Sequence, residues 1–537
     1  MAVLRVLTHR DRYRDSLVLL AATAAMSDLA GVTWAAAVMA VPSSKAGLAD
    51  EGVPADELAG LSANDLVLAV RADDDESAAA ALEVGTGSAF SAGTATTGQS
   101  GTEVAQPRTV RQAVTAAPGS NVAIVSVPGP YASLEAHHAL SAGLHVLLFS
   151  DNVPVEEEIE LKRRAGDLGL LVMGPGAGTA ILGGVGLGFA NAVRRGPVGV
   201  VAAAGTGAQE VSCLLDRWGV GVTQVIGVGG RDLCEQVGGA MARLGARTLA
   251  ADPSTRALLL VSKPPDPAVA AAVIAEAAGT PTVAVMLGLG ADDAQLADSA
   301  GHAVLTGTLE QGAIAAARAV GVEPPAPGHL LAERVATALD RIHRPGQQDA
   351  RTLVRGYFSG GTLCYEAQVV LGRRLGQPIW SNEPLDRRFQ APAPSGSHLL
   401  LDLGAQEYTQ GRPHPMIDPT ARRDLIAADL LGTGPGRAGR AADADRVAAV
   451  LLDVVLGYGA HPDPAGALLP VLAEVVANGG PVVIAYLLGT DADPQDYRAQ
   501  RRSLEEIGVI VPDTNARAAH AAAAVVLRDP DSSETAR

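Results

Sequence analysis

Apolar segments of strand length that alternate with helical patterns are the feature that most constrains this fold. The segments 121–129 (NVAIVSVPG), 143–151 (GLHVLLFSD) and 168–176 (LGLLVMGPG) are apolar almost throughout and end in Gly or Asp. A strand without a polar side needs cover on both faces of its sheet, which a parallel sheet between two layers of helices provides. This first series predicts a Rossmann-like α/β domain with ligands at the carboxyl ends of its strands.

The same alternation restarts twice along the chain. Strands of a second series are predicted at 197–205, 222–230, 257–263 and 281–288. A Pro-rich break at 322–331 (VEPPAPGHLL) and a helix up to Arg344 come next. Strands of a third series are predicted at 352–360, 398–404, 447–457 and 481–490. The sequence therefore predicts two further α/β domains with parallel sheets.

The length of 537 residues is enough for three or four domains. Before the first series, the sequence predicts a helix near Asp15–Asp28, a β-rich stretch at 32–42 and a strand at 64–72. The small, nearly uncharged run 84–106 reads as a flexible linker. The predicted divisions are an N-terminal α/β segment and linker (1–106), a Rossmann-like domain (107–195), two further α/β domains (196–345 and 346–527) and a disordered tail (528–537).

Charge and cysteine content limit the partners and the compartment. A formal net charge of −17 repels phosphate backbones and anionic lipid heads, so neither nucleic acid nor membrane is an expected partner. Three scattered cysteines, Cys213, Cys234 and Cys364, fit neither a disulfide framework nor a metal site and indicate a reducing compartment, by default the cytoplasm. The start MAVLRVLTHRDRYRD shows no export signal. The uncharged stretch 168–193 contains Pro175 and repeated Gly, which favours a buried strand and loop over a membrane span.

Two strand-to-helix turns carry the same Gly-Thr-x-x-x-Glu string. A strand that ends at the start of a helix presents free backbone amides and the positive end of the helix dipole, a suitable place for phosphate. The alternative is that Thr only caps the helix and Gly only relieves a tight turn. The candidate phosphate-binding residues are Ala204, Gly205, Thr206, Gly207, Glu210, Gly361 and Thr362. Two copies in successive domains favour a functional role, with Thr206 at the chemistry and Thr362 at the domain interface.

A third loop follows the same logic. In LLDVVLGYGAHPDPAG (451–466), Gly457, Gly459 and His461 lie between a buried strand and an apolar helix. Either this is a solvated turn before a capped helix, or it is another helix start aimed at a transferred group, with His461 stabilising charge.

The remaining histidines are weaker candidates. His302, in SAGHAVLTG (299–307), is the one to test as a nucleophile, whereas His414 lies between two prolines and can simply order a loop. His137 and His138 fall in a helical pattern and are expected to be solvated. The sequence contains no GxxxxGK[ST], HExxH or GxSxG motif.

Long stretches of the chain resemble a known family. The stretch 127–179 is similar to the CoA-binding region of the succinyl-CoA ligase α subunit, and 197–230 is similar to the start of its ligase domain. The segments GYFSGG, LLLDLG, LLDVVLGYGAHPDP and VVIAYLLGT are similar to the carboxy-terminal part of the β subunit. Over nearly its full length the chain resembles FdrA, an acyl-CoA-synthetase-like family of that superfamily. The resemblance implies that 107–195 is a CoA-binding Rossmann-like domain and that 196–345 and 346–527 are two ligase-type domains.

The resemblance implies specific ligand contacts. CoA would be held by two turns, formed by Val127, Pro128, Gly129, Pro130 and Tyr131 and by Ser150, Asp151, Asn152 and Val153. The helix starts at Ala204–Gly207 and at Gly457–His461 would face one phosphoryl or acyl-phosphate group from opposite sides. Each exposed helix end contributes only ~0.3–1 kcal/mol to an anion, so two ends and several hydrogen bonds would be needed.

The chain departs from the family in three places. No segment between the second and third series is long enough for an ATP-grasp domain, which puts ATP use by this chain alone in doubt. Only Gly301, His302 and Ala303 match the loop of the family's phosphorylated histidine. Lys263 stands close to the position of the Glu that steadies that histidine, and a Lys there could bind acyl phosphate or carbamoyl phosphate directly.

Three functions follow as hypotheses. The first is a cytosolic acyl-CoA ligase that handles CoA and an acyl phosphate, with ATP as a co-substrate and with Lys263, His302 and His461 at the chemistry. The second is a subunit of a carbamoyltransferase assembly of oxamate or allantoin breakdown that uses carbamoyl phosphate and shares catalysis with partner chains. The third is a CoA- or nucleotide-binding scaffold without catalysis. All three predict small-molecule ligands and partner subunits or a homo-oligomer.

Overall fold

The computed structural model describes residues 3–14, 16–27, 29–91, 107–289, 303–325, 330–342, 351–409, 413–433 and 443–533. The chain divides into two compact units. The first unit contains Met1–Asn121, Val125–Ala142 and Gln406–Pro413, and the second contains Val122–Ile124, Gly143–Ala405 and His414–Arg537.

The first unit is built on a three-stranded antiparallel sheet with the order β1-β3-β2. Its elements are β1 (Val3–His9), α1 (Ser16–Ser27), β2 (Val32–Met39), α2 (Pro42–Asp50), α3 (Ala55–Leu58), β3 (Leu66–Ala72), α4 (Asp75–Ser91), α5 (Val110–Ala116), α6 (Gly129–Ser141) and α14 (Gln406–Thr409).

The central strand β3 explains the packing of this sheet. Leu66, Leu68 and Val70 join one core, whereas Val67 and Ala69 join a second core. Because successive side chains of a strand point to opposite faces, a strand covered on both sides reads as unbroken apolar sequence. The helix and strands predicted before residue 72 are confirmed, and β1 is an addition.

One prediction for this unit is wrong. Helix α4 continues to Ser91, so residues 84–91 of the predicted linker are helical. The small residues of this stretch are compatible with a helix, since Ala89 is buried in the core below the sheet. Residues 92–106 of the predicted linker lie outside the described residues.

The second unit follows the predicted alternation of strands and helices. Its elements up to the Pro-rich break are β4 (Val122–Val125), β5 (His145–Leu148), α7 (Val155–Leu168), β6 (Val172–Met173), β7 (Thr179–Leu182), β8 (Val185–Gly188), β9 (Arg195–Ala203), α8 (Gly205–Arg217), β10 (Val222–Gly227), α9 (Ala240–Ala251), β11 (Ala257–Ser262), α10 (Pro267–Glu276), β12 (Thr282–Met286), β13 (Ala303–Thr306) and α11 (Leu309–Ala319). The later elements are α12 (Leu330–Ile342), β14 (Leu353–Phe358), α13 (Gly361–Leu375), β15 (Ile379–Ser381), β16 (His398–Asp402), α15 (Thr420–Ile426), β17 (Val447–Val455), α16 (Pro464–Ala477), β18 (Val482–Leu488), α17 (Tyr497–Glu506) and α18 (Asn515–Leu527).

Parallel pairing dominates the sheets of this unit, which confirms the predicted α/β class. A five-stranded sheet has the order β15-β16-β14-β17-β18 with every neighbouring pair parallel. A seven-stranded sheet has the order β13-β12-β11-β9-β10-β7-β8, and a small sheet has the order β4-β5-β6. These sheets contain the strands predicted from the three apolar series.

The β7–β8 hairpin corrects one domain boundary. It lies inside the predicted CoA-binding segment 107–195, yet β7 pairs antiparallel with β10 of the seven-stranded sheet. The hairpin is short and Gly-rich, so it carries no strong strand pattern in the sequence. The sheet of the first ligase-type domain therefore begins before residue 195.

A buried ion cluster ties α7 to the seven-stranded sheet. Lys162 Nζ donates to Glu158 Oε1 and Asp232 Oδ1, each at 2.8 Å, and to the Val228 carbonyl at 2.9 Å. All three side chains are almost fully buried. Since a buried charge without a partner is very costly, this cluster fixes the position of α7.

The carboxyl terminus also differs from the prediction. Pro530–Ser533 form a short 3-10 helix in which Ser532 and Ser533 are buried, so this part of the predicted disordered tail is ordered. Residues 534–537 lie outside the described residues. Among the helices that the structure describes, none combines the length and the apolar character needed to cross a bilayer.

Candidate functional site

The two Gly-Thr turns predicted from the sequence lie against each other. A Cβ built on Gly360 would lie 2.6 Å from Thr206 Cγ2, and one built on Gly207 would lie 2.9 Å from Thr362 Cγ2. Both threonines are buried. Only glycine at these two positions lets the starts of α8 and α13 approach this closely.

Neither of these helix starts has a side-chain cap. Among the described residues, the amides of Gly205–Gly207 and Gly361–Leu363 have no hydrogen-bond partner. Thr206 Oγ1 is also buried without a partner in the described part of the chain. Gly205 is exposed and Gly361 is half-buried, so these helix starts are open to solvent. Free backbone donors at a helix start suit an anion.

A cation and a carboxylate converge on the start of α13. A Cβ built on Gly361 would overlap Asp402 Oδ2 and lie 3.1 Å from Lys263 Nζ. Asp402 ends β16 and is 6% exposed, and Lys263 follows β11. Burial raises the pKa of Asp402 to about 6, although the charge of Lys263 acts in the opposite direction. This carboxyl group therefore changes its charge close to neutral pH.

A buried ion pair anchors the turn that precedes α13. Asp453 accepts hydrogen bonds from the Ser359 amide at 2.8 Å and the Gly360 amide at 2.7 Å. Arg422 Nη1 donates to Asp453 Oδ1 at 2.7 Å, and both side chains are almost fully buried. The amides before the helix thus donate to protein groups, whereas those of Gly361–Leu363 have no partner among the described residues.

The loop after β17 is predicted to bind phosphate, but several of its amides donate to protein groups. The Gly457 amide donates to Gln495 Oε1 at 3.0 Å, the Tyr458 amide to the Ala190 carbonyl at 2.8 Å, and the His461 amide to the Met416 carbonyl at 2.8 Å. A Cβ on Gly457 would lie 2.6 Å from the Ala190 carbonyl oxygen, and one on Gly459 would lie 3.3 Å from a ring atom of Phe189. These glycines serve close packing. The helix start that contacts Thr206 is that of α13.

The loop nevertheless lies near α8. Gln209 Nε2 donates to Asn191 Oδ1 at 3.1 Å, and Asn191 Nδ2 donates to the Leu456 carbonyl at 2.9 Å. One asparagine therefore links the first turns of α8 to the end of β17. His461 Nδ1 accepts a hydrogen bond from the Asp463 amide at 3.0 Å, and its catalytic role remains a prediction.

The glutamates of the repeated motif bind protein groups. Glu210 Oε1 accepts from the Asn515 amide at 3.1 Å, and Glu366 Oε1 accepts from the Leu309 amide at 2.7 Å. Each glutamate is fully buried and reaches the first residue of a helix in the other ligase-type domain. Glu210 Oε1 is therefore occupied by a protein amide, whereas Oε2 has no partner among the described residues, and phosphate binding by Glu210 stays a prediction.

Burial raises the pKa of both glutamates. The pKa of Glu366 reaches about 7 because desolvation outweighs its hydrogen bonds. Desolvation likewise raises the pKa of Glu210 well above its usual range, and the charge of Glu366 adds to the effect. A proton held by this pair would offset the cost of burying two carboxylates.

The predicted CoA turns fall in different units. Ser150–Val153 connect β5 to α7 in the second unit, and Val127–Tyr131 contain the N-cap and first turn of α6 in the first unit. The Phe149 ring lies 5.5 Å from the Phe189 ring, which in turn lies 5.5 Å from the His414 imidazole. An aromatic row thus runs from the Ser150 turn to a histidine beside the candidate site.

Sequence reasoning missed part of this site. Asp402 and Asp453 carried a visible signal, since each is a carboxylate in or at the end of an otherwise apolar strand. His414 was predicted to order a loop, and its Nδ1 does accept a hydrogen bond from the Met416 amide at 3.2 Å. The candidate nucleophile His302 lies outside the described residues.

Comparison with known proteins finds a CoA-ligase domain in the carboxy-terminal part of the chain. Residues 357–525 match the CoA-ligase family. Residues 1–107 match the family described as AllF, heavy metal-associated domain. Those 107 residues contain no cysteine. Among the residues that the structure describes, no group of three or more His, Cys, Asp or Glu side chains could hold a metal ion.

Three relatives show how far the similarity extends. The uncharacterized protein YahF of Escherichia coli strain K12 is 36% identical over 95% of this chain and 96% of its own length. The ADP-forming sulfoacetate-CoA ligase subunit SauD of Bilophila wadsworthia is 30% identical over 35% of this chain and 66% of its own length. The ADP-forming succinate–CoA ligase subunit alpha 2 of Archaeoglobus fulgidus is 30% identical over 25% of this chain and 49% of its own length.

Proposed function

Because this chain belongs to the same family as YahF of Escherichia coli, within the succinyl-CoA ligase superfamily, we propose that it transfers an acyl group between phosphate and the thiol of CoA. The observation that carries this proposal is the meeting of two uncapped helix starts, α8 and α13, with Lys263 beside them. Free amides, an unpaired hydroxyl and a cation are the groups that hold a phosphoryl anion in place.

Several weak contacts add up at this place. One helix end supplies only ~0.3–1 kcal/mol to an anion, but here two ends converge in a water-poor setting where electrostatic interactions are stronger. Thr206 would donate its hydroxyl to the phosphoryl group, and Lys263 would neutralise charge that develops on the leaving phosphate. Gly205 has open space around it, which leaves a way in from solvent.

CoA would reach this site from the Ser150–Val153 turn. That turn follows the carboxyl end of β5, where ligands of parallel sheets bind. The row of Phe149, Phe189 and His414 offers an apolar wall between the turn and the start of α13. Use of ATP, contributions from partner subunits and a cytoplasmic location remain predictions within this proposal.

The test is acyl transfer from an acyl phosphate to CoA, a reaction that needs no nucleotide. Purified protein is mixed with acetyl phosphate or another acyl phosphate and CoA, and thioester formation is followed. We expect turnover that falls at least ~100-fold in Lys263→Ala, because one preorganised charge contact in a transition state is typically worth that much. Full activity of Lys263→Ala would remove this lysine from the site.

Carbamoyl transfer is the second candidate, favoured by Lys263 itself. A lysine at a helix start binds the phosphate of carbamoyl phosphate as readily as that of an acyl phosphate. Carbamoyl phosphate therefore forms a parallel arm of the same assay, with and without candidate partner subunits. Binding of CoA or phosphate without turnover in any arm would support the scaffold hypothesis instead.

A further inference from the structure

Asp402 has a different group beside each of its carboxylate oxygens. The position of a Cβ on Gly361 overlaps Oδ2 and lies 3.1 Å from Lys263 Nζ. The position of a Cβ on Gly404 lies 3.2 Å from Oδ1 and 2.7 Å from His414 Nε2. Two glycines therefore allow a cation, a carboxylate and an imidazole to converge at the start of α13.

The hydrogen bonds of this cluster fix the state of the imidazole. His414 Nδ1 accepts from the Met416 amide, so the ring proton of the neutral imidazole is on Nε2, the atom nearest Gly404. Burial lowers the pKa of His414 to about 4, which keeps the ring neutral at physiological pH. The imidazole can donate a hydrogen bond here but is not the base.

The carboxylate itself is held by the main chain. Asp402 Oδ1 accepts from the Gly404 amide at 3.0 Å, and the Asp402 amide donates to Asn382 Oδ1 at 2.8 Å. Oδ2 has no hydrogen bond within the described residues. That free oxygen lies next to Gly361, whose amide is also unpaired.

We propose that Asp402 is the proton-transfer residue of this site and acts on a thiol that arrives along the Phe149–Phe189–His414 row. This inference rests on the proposed function. As the sulfur–carbon bond to an acyl phosphate forms, the thiol proton passes to Asp402 Oδ2 and the carbon–oxygen bond to the phosphoryl group breaks. Asp402 then returns the proton to the departing phosphate, so the products are a thioester and hydrogen phosphate, and the carboxylate is regenerated.

The surroundings of Asp402 make such a proton acceptor possible. Burial raises its pKa towards neutrality, and a base is most effective when its pKa lies near the working pH. The titratable and charged groups that face it are Lys263, Glu383, His414, Cys364 and Asp453 with its partner Arg422. Among these, burial holds His414 neutral and raises the pKa of the Cys364 thiol, so neither should titrate between pH 5 and pH 7.5.

The first experiment needs no turnover. Sulfate, a phosphate analogue that does not titrate between pH 5 and pH 7.5, is used in thermal-shift titrations of the full chain. Ionisation of Asp402 places a negative charge beside the anion, so we expect sulfate to bind at least ~10-fold more weakly at pH 7.5 than at pH 5. Asp402→Asn should bind equally at both values, and Glu383→Gln is the control that keeps the difference.

The second experiment measures the acyl transfer. In Asp402→Asn we expect kcat for thioester formation from acetyl phosphate and CoA to fall ~100-fold or more, with KM for acetyl phosphate nearly unchanged. The limb near pH 6 in the pH profile of kcat/KM should disappear in this variant and persist in Glu383→Gln. An unchanged thermal midpoint of Asp402→Asn shows that it is folded.

The outcomes separate the two claims. If Asp402→Asn turns over at the wild-type rate and its pH profile keeps the same acid limb, the role of Asp402 is overturned and the proposed function stands. Wild-type protein that forms no thioester from any acyl phosphate overturns the proposed function and the proton transfer together. If sulfate binding in the wild type does not depend on pH, Asp402 does not face the anion and the inference is wrong.

Discussion

Four helix starts at the junction of the two ligase-type domains fall into two kinds. Helices α11 and α18 each have a side-chain cap, from Thr308 and Thr514, and a glutamate of the other domain, Glu366 or Glu210, accepts from the first amide. Helices α8 and α13 have no such cap, and their first residues are less buried, since Gly205 is exposed and Gly361 is half-buried. The fold caps the starts of one pair of helices and leaves the starts of the other pair uncapped.

This difference explains the repeated Gly-Thr-x-x-x-Glu string. The threonine of each copy lies at an open helix start, and the glutamate one turn later reaches across to the other domain. Glu210 of the first domain binds α18 of the second, and Glu366 of the second binds α11 of the first. The motif thus joins two domains and exposes two helix starts at the same time.

The largest expected effect comes from removing one crossing glutamate. Glu366→Ala leaves the Leu309 amide without an acceptor in a buried interface, and Asn515 Nδ2 keeps only the Leu363 carbonyl. We expect a loss of about 2–5 kcal/mol in the free energy of unfolding, measured by urea denaturation. A loss under ~0.5 kcal/mol would show that these caps do not hold the domains together.

The same glutamate should make stability depend on pH. Its native pKa of about 7 lies above the ordinary value, so the folded protein holds a proton that the unfolded chain releases. The contribution of Glu366 to the free energy of unfolding is fully present below the pKa of the unfolded chain. It falls by roughly 2–3 kcal/mol as the pH rises to 7. Glu366→Gln should flatten the change in urea midpoint between pH 5 and pH 8. An equally steep change would assign the effect to Glu210 or to other groups.

Matched glycines at the two open starts should respond differently. Gly361→Ala forces a methyl group against Asp402 and Lys263, whereas the equivalent Gly205→Ala meets open space. We expect Gly361→Ala to cost about 1–3 kcal/mol in unfolding free energy and to abolish anion binding, and Gly205→Ala to be neutral in stability. Equal thermal midpoints of the two variants would contradict the crowded geometry at Gly361.

Removal of a cap should have a smaller effect. Thr514 Oγ1 accepts from the Arg517 amide at 3.2 Å and donates to Glu310 Oε2 at 2.9 Å. Thr514→Ala is expected to lower the free energy of unfolding by about 1 kcal/mol, as other lost N-caps do. Thr514→Ser is the control, since it keeps the hydroxyl and should lose much less.

The smallest effect on stability is expected at Thr206. Its hydroxyl has no partner among the described residues, so Thr206→Val should leave the free energy of unfolding within ~0.5 kcal/mol or raise it. Binding of sulfate or phosphate should nevertheless weaken several-fold, as shown by thermal-shift titration. Loss of stability without loss of anion binding would mean that this hydroxyl is structural.

The strands were predictable because buried strands have mostly apolar residues in sequence. Segments such as 222–230 and 447–457 are apolar on both faces, and the structure has strands there at Val222–Gly227 and Val447–Val455. The β7–β8 hairpin was not predictable, because four-residue strands rich in Gly give no clear periodicity. Its pairing with β10 depends on packing that the local sequence does not specify.

The candidate site was predictable only in part. A Gly-Thr turn after a buried strand indicates a helix start, and both turns occur where expected. The sequence could not tell which second helix start would face Thr206, and resemblance favoured the loop at Gly457. In the structure that loop binds its own surroundings through Gln495 and Ala190, and α13 takes the place beside Thr206.

By itself, the sequence determined the alternation of buried strands and helices and the chemical character of each turn, because periodicity and backbone preferences act over a few residues. Only the tertiary structure decided which turns meet. Glu210 and Asn515 are 305 positions apart, and Lys263 and Asp402 come from different sheets. Contacts over such sequence distances depend on how two domains pack. Domain packing therefore determines which helix starts are capped and which are left uncapped.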